Sequence, residues 1–184
     1  MTYPGLVAAA PSLLSGAGPI RRSVWGVADV DLIMRTDLQQ LGGPLVGRWI
    51  AEATHPAFPG TVISGSSDVE WLEGEQFLIQ RSHYDHPDFP DTISVIGDTD
   101  GLHLHYFDSR GVYRIYEVTV AADGWTVAMA RKAPPGAFAS SDPHFAQRVT
   151  YRFRDADQEI AGKAQLSYDD VNWNDDLEVT YRRA

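Results

Sequence analysis

The side chains best suited to chemistry lie in one short segment of this chain, residues 102–117. It contains His103, His105 and Tyr116 on either side of an Asp-Ser-Arg-Gly turn sequence at 108–111. Two strands joined by that turn would form a hairpin, and His103 and His105 would share one strand face because side chains alternate. A histidine titrates near neutral pH, so either one beside a tyrosine or an aspartate could transfer a proton. These three residues are therefore the candidate catalytic residues.

Arg114 and Tyr116 form a second candidate pair, two residues apart on the same predicted strand. A guanidinium matches a carboxylate through two parallel hydrogen bonds, and a phenol on the same face can add a third. The spacing therefore predicts an anchor for an anionic or carbonyl group. In the alternative, Arg114 pairs with a nearby acid such as Asp108 or Glu117, and the tyrosine packs on the outside.

The strand register within this hairpin decides which side chains meet, and the sequence leaves two registers open. In the simplest pairing His105 lies opposite Arg114. A three-residue loop with a bulge at Gly111 shifts the pairing by one residue and brings Tyr106 opposite Arg114 instead.

The same two histidines could serve as two ligands of a divalent metal. The remaining ligands would come from a carboxylate or from His55, His83 or His86. Nothing in the sequence fixes the spacing of such a set, so no metal site is predicted.

A second hairpin, from Trp71 to His83, puts Arg81 and His83 on the same face as Phe77. If that face is internal, Phe77 forms a wall of a cavity and the two polar residues contact its ligand. A buried Arg81 would then need a carboxylate or an anionic ligand beside it, and Asp176 and Glu178 on the last strand are candidates for that carboxylate. In the alternative, both strands belong to the core and their polar ends reach solvent.

Composition narrows the class of protein. The 184 residues, 43% hydrophobic, suit one domain with a substantial core, and the net charge of −10 disfavours nucleic acid or an anionic membrane surface as a partner. The chain has no cysteine, which excludes disulfides and thiolate chemistry. The first residues lack the basic start of a signal peptide, so the expected compartment is the cytoplasm.

These candidate residues must be positioned by a succession of strands. Residues 1–27 are rich in proline and glycine and predict an irregular arm; residues 28–184 predict one domain. A helix is expected over 29–41, capped by Asp29, ended by Gly42-Gly43 and closing one end of the domain. Alternating segments separated by turns then predict an all-β, antiparallel, up-and-down barrel of about ten strands: 45–53, 61–71, 75–83, 91–97, 101–107, 112–120, 125–132, 145–154, 159–167 and 175–183.

The inward face of the last strand is ambiguous. Leu177, Val179 and Tyr181 form an apolar set, and Asp176 and Glu178 begin the alternate polar set. An ordinary core would turn the apolar set inward. A polar-lined barrel would do the reverse and cover its outer apolar rows with the helix or with a second copy of the chain in a homodimer.

Both ends of the predicted barrel carry the motifs of a known superfamily. These are Gly47-x-Trp49 followed by Phe58-Pro59, then Pro143-His144-Phe145, the segment 147–154, and Leu177-Glu178-Val179-Thr180-Tyr181. Over residues 45–184 the chain resembles the calycins, in particular the nitrobindin-like and fatty-acid-binding-protein-like barrels. The resemblance implies a lipocalin-like ligand cavity.

The resemblance also bears on cofactors. Nitrobindins hold haem through a histidine on the last strand, and the corresponding residue here is Asp176. A carboxylate is not among the usual axial ligands of haem, which are His, Cys, Met and Tyr. The expectation is therefore a cavity without a resident cofactor, and a haem-binding barrel stays as an alternative.

The sequence therefore predicts a barrel that binds a small hydrophobic or amphipathic ligand bearing an anionic or carbonyl group. The alternative is a cofactor-independent cyclase or isomerase that uses the same cavity for proton transfer between His, Tyr and Asp. The candidate ligand-binding residues combine polar anchors with aromatic walls: Trp49, Phe77, Arg81, His83, Arg114, Tyr151 and Asp176.

Overall fold

The computed structural model describes residues 37–98, 101–129 and 145–184. Within these ranges it confirms an all-β barrel with one short helix. Helix α1 is described over 37–45 and is followed by ten strands: β1 (Gly47–Thr54), β2 (Ile63–Trp71), β3 (Phe77–Tyr84), β4 (Thr92–Asp98), β5 (Leu102–Asp108), β6 (Tyr113–Ala121), β7 (Gly124–Met129), β8 (Ala146–Arg154), β9 (Glu159–Ser167) and β10 (Asn174–Arg183). The predicted arm 1–27, the predicted helix start and residues 130–144 lie outside the described residues.

Every strand pairs antiparallel with its neighbour along the chain, and β10 pairs with β1, so the sheet is a closed barrel. Closure satisfies the backbone hydrogen bonds that an open sheet would leave at its two edges. Strand β1 shows the alternation of buried and exposed side chains expected of a barrel strand. Trp49, Ala51 and Ala53 are buried, while Arg48 and Glu52 are exposed. On each strand, alternate side chains therefore face the barrel interior and the outside.

Helix α1 packs on one end of the barrel through Leu38, Leu41 and Leu45, which join the core around Trp49. The Trp49 indole donates a hydrogen bond of 2.8 Å to the carbonyl of Leu45, the last residue of the helix. The predicted helix end at Gly42-Gly43 is wrong, because the helix continues to residue 45. A side chain at Gly42 would overlap the Trp71 indole, so this glycine serves close packing.

In the described part of the chain, no helix has the length and apolar character needed to cross a membrane.

Candidate functional site

A cavity of about 500 Å³ occupies the barrel and opens at the end opposite α1. Its mouth lies beside the β1–β2 and β3–β4 loops, which contribute His55, Phe58, Asp88 and Phe89 to the lining. The volume falls within the range of small-molecule sites in proteins. The barrel interior is thus large enough for a compact organic ligand.

A hydrogen-bonded network of four residues spans the wall near the mouth. The Gln147 Oε1 atom accepts hydrogen bonds from Arg114 Nη1 at 3.0 Å and from the Tyr116 hydroxyl at 2.7 Å. The Gln147 Nε2 atom donates to Asp176 Oδ2 at 3.2 Å. Gln147 therefore lies between a cation and a carboxylate and keeps them from pairing directly.

His55 extends this network from the β1–β2 loop. Its Nε2 atom lies 3.0 Å from Asp176 Oδ1, and its Nδ1 atom accepts a hydrogen bond from the Ala57 N–H at 3.0 Å. Because Nδ1 is an acceptor, the ring carries its proton on Nε2 and donates it to the carboxylate. Asp176 thus accepts two hydrogen bonds, one from a loop and one from β8.

Arg114 holds a positive charge in the cavity wall without a carboxylate partner in the described part of the chain. Its Nε atom is buried, and no described residue accepts a hydrogen bond from it. The guanidinium stacks over the Phe145 ring at 5.1 Å from the ring centre. A buried donor without an acceptor is costly, so the described residues hold Arg114 in the wall with part of its hydrogen-bonding capacity unused.

The phenols around the cavity are held in their neutral form. Burial raises the pKa of Tyr116, outweighing the nearby Arg114 guanidinium. Burial also raises the pKa of Tyr106, Tyr151 and Tyr181. At neutral pH these groups are therefore hydrogen-bond donors as well as acceptors.

The β5–β6 turn has the second of the two predicted registers. Tyr106 lies opposite Arg114, and Gly111 in the turn has a φ of 82°, a left-handed conformation that favours glycine. The same row continues across two further strands, with Ser94 opposite Tyr106 and Gln80 opposite Ser94. All four side chains line the cavity. We call Gln80, Ser94, Tyr106 and Arg114 the polar row.

Asp108 anchors the turn beside the polar row. Its side chain is fully buried, and its carboxylate accepts hydrogen bonds from the Tyr106 hydroxyl, the Arg110 guanidinium and the backbone N–H of Arg110 and Val112. Burial alone would raise the pKa of Asp108, but the hydrogen bonds from Arg110 and Val112 lower it overall. The carboxylate therefore stays ionised and fixes the Tyr106 hydroxyl.

The opposite side of the cavity is largely aliphatic between the Gln147–Asp176 network and the tyrosines. Strands β7 to β10 contribute aliphatic side chains to the lining: Val127, Val149, Ala164, Leu166, Leu177 and Val179. We call this set the apolar wall. A ligand in the cavity would thus meet hydrogen-bonding groups on one side and hydrocarbon on the other.

The inward face of β10 carries the apolar set and, in addition, Asp176. The apolar set Leu177, Val179 and Tyr181 faces the cavity, and Glu178 faces out, paired with Lys163. The register shifts between Asp175 and Glu178, so Asp176 and Leu177 occupy the space of a single residue. This bulge turns Asp176 inward together with the apolar set.

Of the predicted site residues, Arg114, Tyr116, Tyr151 and Asp176 line the cavity. Trp49 is buried in the core beside α1 and stacks against Arg183 at 4.0 Å, away from the lining. The aromatic wall expected from Trp49 is therefore supplied by Tyr151, which stacks on Trp125 at 4.5 Å between ring centres.

His103 and His105 face the outside of the barrel, which corrects the expectation of a proton-transfer centre there. Their neighbours Leu104 and Tyr106 line the cavity, so alternation directs the histidines outward. His105 Nδ1 lies 3.0 Å from the Tyr113 hydroxyl, and His103 Nδ1 donates to the Gly101 carbonyl at 2.7 Å.

The expectation that Phe77, Arg81 and His83 contact a ligand is corrected in the same way. The three do share a face, but Gln80 and Ser82 line the cavity and that face is external. Arg81 pairs with Glu70, and His83 pairs with Asp91 at 2.6 Å. The hydrogen bond that His83 donates to the Asp91 carboxylate raises the pKa of the exposed His83.

Sequence reasoning missed Gln147 and the cavity serines Ser82 and Ser94, and it considered His55 only as a metal ligand. Gln147 lies 33 residues from Arg114 and 29 from Asp176, so no local spacing connects them. The alternation of β8 could have directed Gln147 inward together with Tyr151. Within the described residues, no three His, Cys, Asp or Glu side chains are grouped as a metal site would require.

Comparison with known proteins identifies the fold but no family. No family model and no curated protein matches this chain. Among solved structures, the crystal structure of Rv2717c from M. tuberculosis matches with a TM-score of 0.55 at 15% identity, over 80% of this chain and 97% of that chain. At this identity the likeness concerns the fold alone. The chain therefore shares a barrel fold with Rv2717c, a fold compatible with ligand binding.

Proposed function

We propose that this protein is a calycin-like barrel that binds a small amphipathic molecule through its anionic or carbonyl group. Arg114 and Tyr116 are the anchors, and Gln147 holds them in position. The observation that carries the proposal is the Arg114 guanidinium, which lines the cavity and has no carboxylate partner in the described part of the chain. An anionic group on the ligand would supply the opposite charge.

Electrostatics favours an anion at this point. Within the described residues the half-buried Arg114 guanidinium has no carboxylate partner, and its lost hydration is offset by the Gln147 amide oxygen and the Phe145 ring. A carboxylate could accept hydrogen bonds from the Arg114 guanidinium and, once the Tyr116 hydroxyl turns its proton from Gln147 to the ligand, from that phenol as well. The apolar wall then covers the hydrocarbon body, which contributes about 25 cal/mol per Å² of apolar surface removed from water.

A catalyst that uses the same cavity is the second candidate, and the His55–Asp176 pair favours it. The pair faces the cavity, unlike His103 and His105, and Gln147 connects it to the proposed anchors. Asp176 could accept a proton from a ligand whose carbonyl group is held by Arg114 and Tyr116. In this case Asp176→Asn would abolish turnover of the bound molecule while leaving its binding intact.

The cavity residues do not fit haem. His55 is the histidine that lines the cavity in the described part of the chain, and both of its ring nitrogens are engaged, one by Ala57 and one by Asp176. The cavity tyrosines hold their protons because burial raises the pKa of Tyr116 and Tyr151, which opposes ligation as phenolates. We therefore infer a ligand that is organic and free of iron.

Titration calorimetry with 2-naphthoic acid tests the proposal. Binding should weaken at least tenfold in Arg114→Met, which keeps the apolar stem and removes the cation. Arg148→Met is the matched control, because Arg148 bonds Gln165 and stacks on Trp173 at 4.1 Å outside the cavity lining. Equal affinities in the wild type and Arg114→Met would refute the anchoring role.

A further inference from the structure

The polar row has a second point of hydrogen bonding far from Arg114. Ser94 is separated from Arg114 by Tyr106, and each of these residues lies directly opposite the next in strand register. Neighbouring strands lie about 4.8 Å apart, so the Ser94 and Arg114 backbones are about 10 Å apart along the wall. A ligand held by Arg114 would therefore meet Ser94 with a different part of its body.

Ser94 has hydrogen-bonding capacity that the described residues do not use. Its residue exposure is only 7%, it lines the cavity, and no hydrogen bond to another described side chain involves its hydroxyl. Gln80 lies opposite it and donates through Nε2 to Ser67 Oγ at 2.9 Å, and the described residues leave its Oε1 atom without a donor. Together these groups offer one hydroxyl donor and several acceptors.

The side chains around Ser94 and Gln80 distinguish this part of the cavity from the rest. Ser82 joins Ser94 and Gln80 in the lining and donates to the buried Ser67 Oγ at 3.0 Å, so β3 and β4 place several hydroxyl and amide groups in this part of the cavity. The aliphatic side chains of the apolar wall offer no hydrogen bond. A polar group on this part of the ligand therefore gains more when it faces β3 and β4 than when it faces the apolar wall.

We propose that the ligand is a hydroxylated organic acid, whose hydroxyl binds at Ser94 and Gln80 while its anion binds at Arg114. This inference rests on the proposed function, because Arg114 fixes the direction in which the molecule lies. The hydroxyl donates to Gln80 Oε1 and accepts from the Ser94 hydroxyl. The hydrocarbon body between the two polar ends packs against the apolar wall.

Two matched acids test the inference by titration calorimetry: 2-naphthoic acid and 6-hydroxy-2-naphthoic acid, which differ only in the remote hydroxyl. The wild type should bind the hydroxylated acid about fivefold more tightly. Ser94→Ala and Gln80→Leu should each remove most of that preference and leave the affinity for 2-naphthoic acid nearly unchanged. Ser66→Ala is the control, since Ser66 follows the outward parity of β2, next to the inward Ser67.

The outcomes separate the two proposals. If both acids bind equally in the wild type and in Ser94→Ala, but lose affinity in Arg114→Met, the hydroxyl subsite is refuted and the anchor stands. If Arg114→Met binds both acids as the wild type does, or if neither acid binds the wild type, the anchor is refuted and the subsite with it. Thermal melting of each variant identifies any loss that comes from unfolding.

Discussion

Asp176 and Leu177 are consecutive in β10, yet both side chains face the cavity. Regular alternation would direct them to opposite sides of the sheet. The β-bulge between Asp175 and Glu178 permits the exception, because two residues of β10 take the space that one residue occupies in β9. A carboxylate thereby enters the cavity beside the aliphatic Leu177 and the donor Nε2 of the Gln147 amide.

Neutralising that carboxylate should strengthen anion binding. In Asp176→Asn the negative charge that lies one glutamine away from Arg114 is removed, so the affinity for 2-naphthoic acid should rise about two- to fivefold. Calorimetry on this variant and on Asp175→Asn provides the comparison. Asp175 is its exposed neighbour, paired with Lys163 at 2.7 Å, and its substitution changes net charge equally without altering the cavity. An equal rise in both variants would contradict a local effect.

The Asp108 carboxylate should be a major contributor to stability. Asp108→Ala removes the acceptor for Tyr106, Arg110 and the turn backbone, and should lower the free energy of unfolding by about 2–3 kcal/mol. Asp108→Asn keeps an oxygen for the turn and should lose less. Urea unfolding followed by circular dichroism measures both. A loss below about 0.5 kcal/mol in Asp108→Ala would mean that water replaces these bonds.

Gly162 should be intolerant of even a methyl group. A Cβ there would lie 2.7 Å from the Tyr151 ring and 2.8 Å from Val179, so Gly162→Ala must displace the ring into the cavity. We expect a loss of about 1–3 kcal/mol in unfolding free energy and weaker binding of 2-naphthoic acid. Gly43→Ala, in helix α1 with open space around it, should instead be neutral or stabilising by up to about 1 kcal/mol. Similar results for both variants would contradict the packing at Tyr151.

The cavity tyrosines should make the barrel sensitive to alkali. Burial raises the pKa of Tyr84, Tyr106, Tyr116, Tyr151 and Tyr181 above the ordinary value near 10. Above that pH the unfolded chain releases these protons while the folded barrel retains them. The contribution of the tyrosines to stability is therefore constant below about pH 10 and falls as pH rises beyond it. Absorbance at 295 nm, which reports phenolate, should therefore increase together with the loss of circular dichroism. Ionisation of all five in a barrel that stays folded would contradict the burial argument.

The sequence by itself determined the elements of this fold. Alternation and turn residues depend only on near neighbours in the chain, and each predicted strand begins within two residues of the observed one. Side-chain alternation along the strand also predicted that Arg114 and Tyr116 share one face. The sequence was compatible with the observed register, in which Tyr106 lies opposite Arg114, but could not distinguish it from the alternative.

The tertiary structure alone decided which faces became the cavity and which residues meet there. The inward direction of β3 and β5, and hence the outward position of Arg81 and His103, depends on how ten strands close into one barrel. The bulge that admits Asp176 depends on its pairing with β9, and Gln147 reaches it across 29 residues of chain. Contacts of this range are set by the packing of partner strands, because no local pattern encodes which strand a residue will face.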